Sequence, residues 1–173
     1  PNNRKDFDKN IENIKSFNNV KCLIVGYGRI GKKILTLLDA LGMDVSYISR
    51  NRSITDCNIS NFDFVINSLP FTSETKNYFT AETFDKMNKN SYIINVGRGE
   101  TINENDLYNA LKHKKIRGAF VDVVQNEPIK DNNLLWELDN IFISPHIANA
   151  MDNSIETQVK VFTNKLKKYK QKI

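Results

Sequence analysis

Three residues far apart in the chain, Arg98, Glu127 and His146, carry side chains that together could handle a small organic anion and a proton. An imidazole gives and takes a proton near neutral pH. A carboxylate bonded to it would orient the ring and favour its charged form. A guanidinium offers a planar fork that matches a carboxylate and a neighbouring oxygen, positioning and polarising both. Each residue sits in a short polar segment: Asn95-Val96-Gly97-Arg98-Gly99-Glu100, Asp122-Val123-Val124-Gln125-Asn126-Glu127-Pro128, and Ser144-Pro145-His146-Ile147-Ala148. The other histidine, His113, lies in the lysine-rich Lys112-His113-Lys114-Lys115 stretch and reads as solvated surface.

The elements that must position these groups follow from hydrophobic spacing. Residues 20–25 form a continuous apolar run ending in glycines, as a buried parallel strand should. Residues 30–41 read as a helix with Ile30, Ile34, Leu37, Leu38 and Leu41 facing inward and Gly42 as its stop. Strands are expected at 45–49, 62–68, 92–96, 119–124 and 141–144, and helices at 80–87 and 105–112, the latter with Leu107 and Leu111 on one side. Residues 50–63 leave little room for a full crossover helix, so that connection is expected to be abbreviated. Residues 4–17 place Phe7, Ile11, Ile14 and Phe17 on one helical face, and Asn153 with Glu156 resembles a capping pair for a last helix. This alternation predicts a single α/β domain over residues 1–173: a Rossmann-type, doubly wound parallel sheet flanked by helices. In such a sheet the carboxyl ends of the strands line the ligand crevice, so Arg98, Glu127 and His146 are expected to converge there.

Between the first strand and its helix stands Gly26-Tyr27-Gly28-Arg29-Ile30-Gly31, a Gly-x-Gly-x-x-Gly pattern. The pattern alone is weak, but a strand–turn–helix setting is what its mechanism requires. Gly26 allows the tight turn, Gly28 lets backbone N–H groups approach a diphosphate, and Gly31 lets helix and strand pack closely. Arg29 and Ile30 complete the loop at the positive helix N-terminus, where a dinucleotide's diphosphate would sit. NAD-specific domains place an acidic residue at the end of the second strand. Here Ser49, Arg50 and Arg52 stand instead, and Asp44 lies at the strand's other end. Those groups would bond a ribose 2′-phosphate, each charge-assisted bond contributing roughly 1.5–3 kcal/mol. NADP(H) is therefore the expected cofactor, with NAD(H) the alternative.

These segments, with Leu69-Pro70-Phe71-Thr72-Ser73-Glu74-Thr75, resemble the D-isomer-specific 2-hydroxyacid dehydrogenases in order and spacing from residue 20 to about residue 150. The resemblance implies that Arg98 binds a 2-oxo acid and that His146, oriented by Glu127, is its acid/base. It also implies that Asp122 contacts the nicotinamide carboxamide, and that Leu69, Pro70, Thr75, Val96, Gly97 and Ala148 line the cofactor groove. The Ser-Arg signature is similar to that of the NADPH-using glyoxylate/hydroxypyruvate reductases, and relatives dimerise through this domain, so a homodimer is expected. A separate N-terminal substrate-binding domain, usual in the family, has no counterpart here. Cofactor binding should then survive while turnover is weak or absent. Asn149-Ala150 stands where many relatives carry glycine. A corepressor-like nucleotide sensor on the same fold is the second reading.

Composition narrows the remaining classes. With 173 residues, 40% of them hydrophobic and 26% charged, the chain suits a soluble domain with its own core. It shows no membrane span, secretory signal or metal-ligand pattern. Cys22 and Cys57 are too few for a disulfide framework, which suits a reducing cytoplasm, and Cys22 reads as a core residue. The net charge of +5 is concentrated in the lysines from Lys160 to Lys172. There Ile155, Val159, Phe162, Leu166, Tyr169 and Ile173 recur at steps of four and three, so the lysines read as the solvated face of a docked helix. No aromatic stacking platform accompanies them, which argues against a nucleic-acid partner.

Overall fold

The computed structural model describes residues 16–49 and 53–148, together with Val159 and Thr163. The apolar run closed by glycines becomes β1 (Lys21–Val25), in which Cys22 to Val25 are all buried. The chain then forms α1 (Arg29–Ala40), β2 (Asp44–Ile48), β3 (Phe64–Asn67), α2 (Ala81–Lys86) and β4 (Tyr92–Asn95). It continues through α3 (Glu104–Lys112), β5 (Gly118–Val121) and β6 (Ile141–Ile143). The six strands form one sheet in the order β2-β1-β3-β4-β5-β6, and every pairing is parallel. The chain steps outward from β1 to β2 and returns on the other side to β3. The topological switch point therefore lies between β1 and β3, directly below the glycine loop.

The β2–β3 connection is short, as its length predicts. Two single-turn 3-10 helices, Ile54–Asp56 and Ile59–Asn61, take the place of a crossover helix. Ile54 and Ile59 are buried, and the Tyr78 hydroxyl accepts the Ile54 N–H at 3.0 Å, tying the segment to the body. One face of the sheet, with Leu23, Val25, Val65, Ile93 and Val121, joins Phe79, Phe84, Leu107 and Leu111 in the main core. Burying a side chain of this size contributes roughly 1.5–3 kcal/mol. Aromatic pairs stack on the other face, Phe64 on Tyr92 at 5.5 Å and Phe120 on Phe142 at 5.2 Å. Cys22 is buried as expected, and burial pushes its thiol up to about 11, with Asp63 and Asp44 adding to the effect.

The inward face of α1 differs from the expectation. Ile30, Leu37 and Leu41 are about half exposed, at 53%, 54% and 51%. The helix lies over the sheet edge and meets it through Gly31, with Ile34, Leu35 and Leu38 half-buried, so its apolar arc is wider than its contact. Phe17 belongs to a 3-10 turn, Phe17–Asn19, and is exposed. Val159 is helical but 57% exposed, which does not match a docked stripe at that position. The rest of the first and last segments, including the Asn153–Glu156 cap, Asn149 and Ala150, lies outside the described residues, as do Arg50 and Arg52. Among the described residues no helix is long and apolar enough to cross a membrane.

Candidate active site

The glycine loop has the shape a diphosphate needs. Gly26 has a φ of 101°, and its N–H donates to Ile48 O at 3.1 Å, which docks the loop on the end of β2. A Cβ at Gly31 would stand 2.1 Å from Gly26 O, so helix and loop meet without room for a side chain. At Gly28 the reverse holds: a Cβ would meet nothing within 4 Å. Gly28 caps α1 without any side-chain hydrogen bond, leaving the N–H groups of the first turn free of protein caps. Exposed Arg29 and Ile30 begin that turn, and exposed Ser49 follows the end of β2. An open backbone cradle at an uncapped helix N-terminus fits a dinucleotide diphosphate.

The opposite wall comes from the ends of β3 and β4. Ser68 Oγ donates to Gly26 O at 2.7 Å, bringing Leu69 and Pro70 beside the glycine loop. The Thr75 hydroxyl closes its own turn, donating to Pro70 O at 2.7 Å and accepting the Thr72 N–H at 2.8 Å. Val96 N–H donates to Asn67 O at 3.0 Å, and a Cβ at Gly97 would come within 2.6 Å of Leu69 O. Arg98 is exposed, and its Nη1 donates to Gly97 O at 2.7 Å.

Glu127 and His146, nineteen positions apart, come together: His146 Nδ1 lies 2.7 Å from Glu127 Oε2. Glu127 is itself held, because its Oε1 accepts the Val124 N–H at 3.2 Å. Both side chains are partly exposed and face solvent at the strand ends. His146 adopts a left-handed backbone, φ 56°, unusual outside glycine but more frequent for His than for most residues. Asp122 explains how that conformation is kept. Its main-chain oxygen accepts the His146 N–H at 2.9 Å. Its carboxylate accepts the Ser144 hydroxyl at 2.5 Å and the N–H groups of Ile147 and Ala148, each at 2.9 Å. The family resemblance implies a nicotinamide contact for Asp122; here it caps the turn that carries His146. Ser144 and Val124 hold the site, although neither stands out by residue type.

Asp122 is only 4% exposed. Burial pushes its carboxyl up, but the bonds from Ser144, Ala148 and Ile147, with the charge of His146, outweigh it and hold it below its ordinary 3.8. A depressed value means that its stabilising contribution is complete above the unfolded value and is lost as pH falls through the folded one. Asp122→Asn is expected to lower stability at neutral pH by about 1–3 kcal/mol, since it replaces an acceptor by a donor facing other donors. Denaturant midpoints against pH should show the wild-type advantage shrinking as the solution is taken below 3.8.

Fold and site together define a nicotinamide-dinucleotide-binding domain with an imidazole–carboxylate pair at its crevice. Residues 3–148 match the model of the D-isomer specific 2-hydroxyacid dehydrogenase, NAD binding domain, and the chain belongs to that family. It is 38% identical over 149 residues to a probable 2-ketogluconate reductase of Dictyostelium discoideum, covering 78% of this chain and 43% of that protein. It is 32% identical over 160 residues to a glyoxylate reductase of Pyrococcus horikoshii, covering 85% and 47%. An NADPH-dependent glyoxylate/hydroxypyruvate reductase from Sinorhizobium meliloti superimposes with a TM-score of 0.72 at 27% identity, covering 86% of this chain and 84% of that one. The chain thus spans about half the length of the curated relatives it matches.

Proposed function

We propose that this chain is the cofactor-binding half of a dehydrogenase that interconverts a small 2-oxo acid, such as glyoxylate or hydroxypyruvate, with the corresponding 2-hydroxy acid. The contact that best supports this is His146 Nδ1 on Glu127 Oε2 at 2.7 Å, because it leaves Nε2 as the ring nitrogen to exchange a proton. A nicotinamide held in the groove walled by Leu69, Pro70, Val96 and Gly97 would supply the hydride for C2 in the reducing direction. His146 Nε2 delivers the proton to the carbonyl oxygen, and Glu127 holds the ring at Nδ1 so that Nε2 is presented. The Arg98 guanidinium holds the substrate carboxylate and polarises the neighbouring oxygen. Leu69, Pro70, Thr75, Val96, Gly97 and Ala148 form the groove walls. The remaining wall of the substrate pocket is expected from a substrate-binding domain of the kind longer relatives carry.

NADP(H) is the favoured cofactor. Ser49 stands where an acidic residue would accept a ribose hydroxyl, and Arg50 and Arg52 add positive charge beside it in the sequence. The relative named as NADPH-dependent agrees with this. Steady-state reduction of glyoxylate and hydroxypyruvate by the intact protein, followed with NADPH and then with NADH, tests the reading. A higher kcat/KM with NADPH is expected. Faster use of NADH would refute the cofactor preference, and no turnover with either would refute the function.

A further inference from the structure

We propose that Asn95 and Thr101, linked through Asn67, are positioning residues that hold Arg98 for the substrate carboxylate, an inference that rests on the dehydrogenase reading above. Asn67 and Asn95 end the neighbouring strands β3 and β4 and are directly paired in register. Thr101 ends the 3-10 turn Gly99–Thr101 that follows Arg98. All three are essentially inaccessible, at 0%, 1% and 0%. Buried amides and hydroxyls cost stability unless they are bonded. Apolar residues of the same volume would fill this space without that demand.

The bonds show what the polarity is used for. Asn67 Nδ2 donates to Asn95 Oδ1 at 2.8 Å and to Thr101 Oγ1 at 2.6 Å, while Asn67 Oδ1 accepts the Leu69 N–H at 3.1 Å. Asn95 Oδ1 also accepts the Gly97 N–H at 3.1 Å, and Asn95 Nδ2 donates to Arg98 O at 3.2 Å. The Thr101 hydroxyl donates to the same Arg98 oxygen at 2.6 Å, and the Thr101 N–H does so at 3.2 Å. Three donors therefore converge on the Arg98 carbonyl, and the amide just before Arg98 is fixed as well. The side chain itself stays exposed.

Steric limits tighten the same segment from both sides. A Cβ at Gly97 would come within 2.6 Å of Leu69 O, and one at Gly99 would come within 2.0 Å of the Val124 carbonyl. The backbone that carries Arg98 has no slack, and the network sets where within that narrow space it rests. A fully satisfied buried network of this kind favours one conformation. Displacing a binding group by about 1 Å can cost roughly 10²-fold in rate, so the position of this carbonyl bears on substrate binding.

Thr101→Val keeps the shape but removes both the donor to Arg98 O and the acceptor for Asn67. Thr101→Ser restores them. With glyoxylate and NADPH, the intact Thr101→Val protein is expected to show a KM for glyoxylate raised about tenfold. Its kcat should change far less, its NADPH Kd should stay within about twofold, and Thr101→Ser should lie close to wild type. A lowered Tm with KM within about twofold would overturn the positioning role, as would KM and NADPH Kd rising together. If Thr101→Val does not fold, Asn95→Asp, which puts a carboxylate oxygen in place of the Nδ2 donor to Arg98 O and keeps Oδ1 as an acceptor, must raise KM in the same way. An active wild type with an unmoved KM in these variants sinks the positioning role alone. An inactive wild type sinks the function and this inference with it.

Discussion

His146→Ala should lower kcat roughly 10²–10⁴-fold while NADPH binds within about twofold of wild type. The loss follows from position as well as residue type. His146 is anchored at Nδ1 by Glu127 and through its backbone by Asp122, so Nε2 has one direction in which to act. Removing the ring removes the proposed proton source and leaves the glycine loop, which follows β1 while His146 follows β6, untouched. His146→Asn is the better-behaved control, because Asn also tolerates left-handed backbone, so stability at φ 56° should hold while turnover falls. Glu127→Gln should reduce kcat in the same direction and by less, since the ring keeps a hydrogen-bond partner but loses a negative one. Retained turnover in His146→Ala would refute the assignment.

Gly31→Ala should abolish dinucleotide binding and destabilise the fold, whereas Gly28→Ala should weaken binding alone. The new Cβ at position 31 would lie 2.1 Å from Gly26 O and 3.1 Å from Ser68 Oγ. The nearer atom is main chain in a turn already at φ 101°, so relief requires the loop to leave the helix. Overpacking of this kind costs about 1–3 kcal/mol and sometimes more. At position 28 a Cβ meets only open space, so the unfolding temperature should not move. That open space is where the diphosphate must approach, and the same methyl should raise the Kd for NADPH by about tenfold or more. Thermal unfolding with a parallel titration separates the two. Equal loss of stability in both variants would contradict the cradle.

Much of the framework is legible in the residues themselves. β1 and β3 read as apolar runs because a parallel strand covered on both faces needs no polar alternation. The glycine motif is readable because turn, close approach and helix packing each demand the absence of a side chain. Arg98, Glu127 and His146 stand out because their side-chain chemistry is distinctive wherever they fall. The Asn67–Asn95–Thr101 network was not legible, since a polar residue ending an apolar run looks the same whether it is buried or begins a loop. Its one signal is that Asn67 and Asn95 close two neighbouring strands at the same register, and pairing must be known to see it. The wide apolar arc of α1 misled for a related reason: periodicity gives the apolar face of a helix but not how much of it the neighbours cover.

Calorimetric titration of the chain with NADPH, repeated with NADH, tests the central claim most directly. One NADPH bound per chain, more tightly than NADH and lost in Gly31→Ala, is the predicted result. Absence of binding by both cofactors would contradict the account at its root, because the cradle at Gly28 would then be open for some other reason.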